Sequence, residues 1–200
     1  MNEGFKESIE EREKKQATID YLVPKPPFPQ NMLIEISNRC NHKCTFCFNP
    51  SMTRRKGGMD PDFIRRILQE AYDCGVREVG FTATGESLMD KHLFDYFGLA
   101  KDIGYEYTYF STNGALLNEK KIEEIFSSRL SSIKFSFNAG TRETYKYIHG
   151  RDDFDHVISM IKTIDNERKA RNRLLRLFVT YVVTEKNKNE QGNLQEILGD

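Results

Sequence analysis

Neither sign of charge is in excess in this 200-residue chain, in which Lys and Arg number 30 and Asp and Glu number 30. No strong field therefore draws it to nucleic acid or to an acidic membrane face, and neither is expected as a partner. Apolar runs long enough to span a membrane are missing, and the charged start MNEGFKESIEEREKK lacks the apolar middle of a signal peptide. A cytoplasmic, reducing setting is the expectation. Cysteines are scarce, four in all. In a reducing setting, clustered cysteines more often bind metal or do redox chemistry than form disulfides. There is no internal repeat. About 38% of residues are hydrophobic, enough for one sizeable core at a length that suits one domain.

Residues 1–31 read as a charged N-terminal helix or arm followed by a proline-rich connector, PKPPFPQ (Pro24 to Gln30), which ends any helix. Residues 32–200 read as one core domain of alternating elements. MLIEI, VREVGFT, YEYTYFS, SIKFSF and LLRLFVTYVV are expected strands. Between them, DPDFIRRILQEAYDCG carries Asp60 as a cap, Pro61 at the first helical position and Gly75 as a stop. KHLFDYFGLAKDIG, NEKKIEEIFSSR with Asn118 as its cap, TRETYKYIHG and DFDHVISMIKTIDNERKA are further helices, and NLQEIL begins another. At least five strands alternating with helices predict an α/β fold with a parallel sheet, curved into a partial (β/α)6 TIM-like barrel.

In such sheets the chemistry gathers where strands end. Just after the first strand come Cys40, Cys44 and Cys47. After the second comes ATGES (Ala83 to Ser87), after the third STNG (Ser111 to Gly114), after the fourth SFNAG (Ser136 to Gly140) and after the fifth TEKN (Thr184 to Asn187). Polar and glycine-rich residues thus converge on one rim.

Cys40-x3-Cys44-x2-Cys47 places three thiolates on a loop too short to surround a metal alone. Thiolates suit zinc or an iron–sulfur cluster. A structural zinc site wants four protein ligands. His42 is too constrained between the first two cysteines to join them easily, and Cys74, at a helix end, is expected to pack as a small buried hydrophobe. Three thiolates on a four-iron cubane leave one iron open to a non-protein ligand. The competing reading is a non-catalytic zinc-binding or iron–sulfur protein used for electron transfer or assembly.

The spacing of Cys40, Cys44 and Cys47 after a first strand, with the other strand-end motifs in order, resembles the signature of the radical S-adenosylmethionine (SAM) enzymes, over roughly residues 32 to 190. The maturase-like branch is the most similar. The resemblance implies a [4Fe-4S] cluster on Cys40, Cys44 and Cys47 whose open iron is chelated by SAM. It implies reductive cleavage to a 5′-deoxyadenosyl radical that abstracts hydrogen from a substrate, a peptide or protein or a sugar or cofactor precursor. It also implies a small electron donor of flavodoxin or ferredoxin type.

For the SAM pocket, the resemblance implies contacts from Phe46, near the adenine; from Thr84, Gly85 and Glu86, which stand where the family carries Gly-Gly-Glu-Pro; from Ser136 and Asn138; and from Ser111 and Asn113. Thr84 replaces the first glycine and Ser87 the proline, yet a backbone carbonyl at Thr84 still serves as an acceptor. Each has an ordinary alternative: Phe46 as a shield against water, Ser and Asn as turn and capping residues. Glu35 reads as structural, with Arg39 or rim solvent as its partner. RRKGG (Arg54 to Gly58) reads as a solvated basic loop, and His92, His149 and His156 lack ligand-like spacing. The chain ends at Asp200 as a helix begins, short of the sixth strand that similar enzymes carry. An unpaired sheet edge is therefore expected.

Overall fold

The computed structural model describes residues 28–199 together with Lys14, Ala17, Leu22 and Val23. Most of the expected N-terminal arm and proline-rich connector lies outside the described residues.

Five strands, β1 (Asn31–Ile34), β2 (Glu78–Phe81), β3 (Tyr107–Thr112), β4 (Ser132–Ser136) and β5 (Arg176–Thr180), form one sheet in chain order. All four neighbouring pairs are parallel. Helices α1 (Pro61–Asp73), α2 (Leu93–Ile103), α3 (Glu119–Ser127), α4 (Arg142–His149), α5 (Phe154–Ala170) and α6 (Gln191–Leu198) fill the connections. Among the described residues the sheet is an open one, with β1 and β5 at its edges.

The helices start where local chemistry tells them to. The Asp60 carboxylate accepts from the backbone N–H groups of Asp62 and Phe63 at 3.0 Å each, and Pro61 needs no donor partner in the first turn. Asn118 accepts likewise from Lys121 N at 2.9 Å. In α1 the buried residues Ile64, Leu68 and Ala71 recur at helical spacing, so one stripe faces the sheet.

Alternation along the strands sorts side chains onto two faces. Val79, Phe81, Phe110, Ile133 and Phe135 are fully buried in the core under the helices. Each such large apolar side chain contributes about 1.5–3 kcal/mol by leaving water. Residues of the opposite parity line the concave face. There Gly80 lets the Tyr109 ring lie across β2, because a Cβ at position 80 would sit 2.5 Å from that ring. Lys134 stands over the same ring at 4.3 Å. Thr82, Ser111 and Ser136, of the same parity, end this face at the rim.

Two expectations need correction. Cys74 is exposed, not a buried hydrophobe. It caps α1 through its backbone N–H to Glu70 O, while Ala71 and Val76 on either side take the core positions. The fifth strand is shorter than LLRLFVTYVV, because Val182 N leaves the ladder and donates to the Asn138 side chain at 2.8 Å.

Candidate active site

After β1 the chain makes a long excursion that returns to its own root. Ser37 and Gly58 form an antiparallel bridge, and Met59 N donates to Ile36 O at 2.7 Å. Asn38 locks the root: its amide donates to Arg55 O at 3.0 Å and its carbonyl oxygen accepts from Gly57 N at 2.7 Å. The cysteines lie on this excursion. Its far side docks on the end of α4, where Lys43 N and Thr45 N donate to the carbonyls of His149 and Ile148 at 3.2 and 2.8 Å. A helix C-terminus leaves carbonyls without intrahelical donors, and the loop supplies them.

The second rim motif packs against the root of the first. A Cβ at Gly85 would meet Ser37 O at 2.0 Å and Arg39 O at 2.9 Å, so only glycine allows this approach. Glu86 N donates to Arg39 O at 2.7 Å. The Glu86 carboxylate, 3% exposed, accepts from Thr112 Oγ1 at 2.7 Å, Asn113 N at 2.8 Å and Leu88 N at 3.0 Å. Burial pushes its pKa up against those hydrogen bonds. Its oxygens thus brace the ends of β2 and β3. The Asn113 amide continues inward to Asn41 Oδ1 at 2.9 Å.

A pocket of about 270 Å³ opens at this rim. Cys40, Cys44, Cys47 and Phe46 line it from the loop, with Thr84, Gly85 and Glu86 after β2, Ser111 and Asn113 at the end of β3, and Ser136 and Asn138 at the end of β4. All the side chains that sequence reasoning singles out for cluster and cofactor therefore share one cavity. Thr82, Ala83, Thr112, His42 and His149 complete its wall. A larger groove of about 540 Å³ between α2 and α3 is lined by no thiol or imidazole, and it lies away from the strand ends.

Asn138 is held at φ +59°, with its side-chain oxygen on Val182 N and its backbone carbonyl accepting from Asn187 Nδ2 at 2.8 Å. Its Nδ2 is buried and has no hydrogen-bond partner among the described residues. A buried donor in that state costs free energy unless something in the pocket accepts from it.

Glu35 is paired with Arg54, at 2.7 Å, and not with Arg39. Its other oxygen accepts from Thr84 N at 3.1 Å and Thr84 Oγ1 at 2.5 Å. Burial alone would raise the Glu35 pKa, but the Arg54 and Thr84 hydrogen bonds outweigh it and hold the carboxyl below its ordinary value. The basic loop is thus anchored at one point, and Lys56 is anchored too, on the side-chain oxygen of Asn49 at 2.6 Å.

Cys40 and Cys44 are desolvated. Burial raises the Cys40 pKa, and burial with the neighbouring thiolates Cys40 and Cys47 pushes Cys44 up to about 12. Bare thiolates are therefore disfavoured here, and a bound cation is what would make them stable.

Sequence reasoning misses two groups. Asn49, 2% exposed, donates to Asn38 O at 2.8 Å and Thr84 O at 3.0 Å. The histidine reading also changes. His149 is fully buried with Nδ1 3.3 Å from Cys44 Sγ and 3.3 Å from His42 Nδ1. Burial lowers the His149 pKa to about 4. His42 and His149 are separated by more than half the chain, so no spacing rule could join them.

Residues 34–190 match the family model described as the Radical SAM superfamily. The chain belongs to the radical SAM superfamily. Curated relatives include a probable GTP 3′,8-cyclase of Methanothermobacter marburgensis, 27% identical over 127 residues, covering 64% of this chain and 41% of the relative. A PqqA peptide cyclase of Gluconobacter oxydans is 30% identical over 129 residues, covering 64% and 35%. Among solved structures, Streptococcus suis SuiB bound to its precursor peptide SuiA superposes with a TM-score of 0.71 at 20% identity, covering 93% of this chain and 39% of SuiB. That likeness shows the fold. The chain spans half or less of the length of these relatives.

Radical SAM proteins use a [4Fe-4S] cluster and SAM. The residues present fit both groups. Three thiols on one loop face one pocket, the Asn138 amide has a donor to spare, and the second rim motif approaches the loop as closely as a glycine permits. Among the described residues no helix is long and apolar enough to cross a membrane.

Proposed function

We propose that this chain forms the catalytic core of a radical SAM enzyme acting on a peptide or on a cofactor or sugar precursor. The observation that carries the proposal is the single rim pocket, which gathers Cys40, Cys44 and Cys47 with the ends of β2, β3 and β4. When bound, a reduced [4Fe-4S] cluster with SAM supplies a 5′-deoxyadenosyl radical that takes a hydrogen atom from the substrate.

This chain's residues hold and shield. Cys40, Cys44 and Cys47 hold the cluster. Thr84 O already accepts from Asn49 at 3.0 Å, and its second lone pair remains for the SAM ammonium. Asn138 Nδ2 would donate to a SAM oxygen, Ser136 would serve the ribose or carboxylate, and Ser111, with Asn113 just past β3, would face the ligand. Phe46, 43% exposed on the same loop, would close over the adenine. Glu86 positions the rim: its carboxylate is already engaged by three donors. No general base is required for this chemistry, and none is assigned. The electron comes from a small donor of flavodoxin or ferredoxin type, in a cytoplasmic, reducing compartment.

Anaerobic reconstitution tests this reading. About four iron and four sulfide per chain are expected, together with 5′-deoxyadenosine release that requires both SAM and reductant. A reconstituted chain that holds no cubane, or whose cluster spectrum ignores SAM, would refute it.

A further inference from the structure

Beside the three-cysteine set lies a second constellation with its own geometry. His42 Nε2 lies 3.0 Å from Asp153 Oδ2, and His149 Nε2 lies 2.7 Å from Phe137 O. Both partners are acceptors, so each ring donates from Nε2, and in its neutral form each offers an Nδ1 lone pair inward. Those two lone pairs face each other at 3.3 Å, and that of His149 also faces Cys44 Sγ at 3.3 Å. Two lone pairs do not bond to each other. A single thiol hydrogen on Cys44 serves one contact and leaves the other repulsive. One ligand atom from each of the three residues lies within 4.8 Å of the others. A proton shared between the rings or a metal ion at the centre would relieve the contact, and the three ligand atoms are close enough for the ion.

The two His149 separations, to His42 Nδ1 and to Cys44 Sγ, suit a zinc-type cation. With zinc bonds to nitrogen and thiolate sulfur of the usual lengths, tetrahedral neighbours stand roughly 3.3 to 3.6 Å apart. The surroundings also match. Metal-bound histidines commonly donate their other ring hydrogen to a carboxylate or a backbone carbonyl, and here one does each. Asp153 is itself fixed by Arg151 Nε at 3.0 Å. His42 and His149 are 3% and 0% exposed, so the rings are set before any ion arrives.

We propose that His42 Nδ1, His149 Nδ1 and Cys44 Sγ form a mononuclear site for a divalent ion of the zinc type. Three protein ligands leave the fourth position to water or to another thiolate. On binding, the Cys44 proton passes to solvent and the thiolate joins the ion. Because Cys44 also belongs to the cluster set, a point that rests on the function proposed above, ion and cluster exclude each other at that sulfur. The chain then has two metallation states: cluster-loaded, or holding one zinc-type ion.

The test is metal titration of the full chain, stripped of iron without oxygen and with its thiols reduced. Cobalt(II) alone is added first, followed by zinc(II). One equivalent of cobalt should bind with tetrahedral ligand-field bands and a thiolate charge-transfer band, and zinc should displace it. Cys40→Ser and Cys47→Ser should lose the cubane yet keep the ion. His149→Gln should lose the ion, and Asp153→Asn, which leaves every ligand in place, should weaken it about 10–100-fold. The inference is overturned if wild-type chain takes up no cobalt, as it would if a shared proton fills the site. It is also overturned if His149→Gln binds as tightly as wild type while Cys40→Ser and Cys47→Ser do not, which would put the ion on the three thiols. Uptake of one cobalt by the cluster-loaded chain would overturn the exclusion. None of these readouts depends on SAM cleavage, so they stand or fall apart from the proposed activity.

Discussion

Asn49 Nδ2 donates to the Thr84 carbonyl at 3.0 Å and to the Asn38 carbonyl at 2.8 Å, stitching the cysteine loop to the rim after β2. Its side-chain oxygen accepts from Lys56 Nζ at 2.6 Å. Replacing Asn49 by Ala leaves the Asn38 and Thr84 carbonyls without this donor, whereas the exposed Lys56 turns to water. The expected loss is about 2–4 kcal/mol, read by urea denaturation, with a fall in retained iron after reconstitution. Unchanged stability and iron content would show that the stitch is dispensable.

Gly85→Ala drives a Cβ into the Ser37 carbonyl. Backbone meets backbone, so no side-chain rotation relieves the contact. The rim motif must back away from the loop, at about 2–4 kcal/mol, and SAM affinity should fall with it. Thermal melting and equilibrium dialysis check the two halves; a variant that melts and binds like wild type would be inconsistent with the close approach.

The Glu35 carboxyl sits below its ordinary pKa of 4.5, so the native state binds fewer protons there than the unfolded chain does at acid pH. Its contribution is complete above 4.5 and is lost as pH falls through the lowered value. Arg54 is more than half exposed, so solvent screens the pair and the contribution is small. Glu35→Gln should therefore flatten the acid limb of the stability curve below pH 4.5. Urea midpoints across pH 3 to 7 measure the effect, and parallel curves for both proteins would contradict it.

Asn138→Asp keeps the oxygen that serves Val182 N and removes the donor that lacks a partner. If the amide meets SAM, the dissociation constant of the cluster-loaded chain should rise about tenfold or more. Equal affinity would assign Asn138 to loop geometry alone.

The order of elements could be read because it is set locally. Asp60, Pro61 and Asn118 mark helix starts by hydrogen bonds to residues two or three positions away. The rim could be read because a parallel sheet sends every strand end to one side. What escaped was set by distant packing. Glu35 finds Arg54 instead of Arg39 because the excursion folds back over its own root. Cys74 faces solvent because α1 stops there and its neighbours already fill the core. His149 meets Cys44 only because α4 docks its C-terminal carbonyls on the loop.

The bridge between Ser37 and Gly58 has an architectural implication. Since the backbone leaves and re-enters at one place, the thiol-bearing stretch is a closed loop rooted on β1 and tied sideways to α4 and to the rim after β2. The β1–α1 step is already closed beneath it by Met59 and Ile36. Changes at its tip, away from those ties, can thus alter the chemistry while the root of the sheet stays closed.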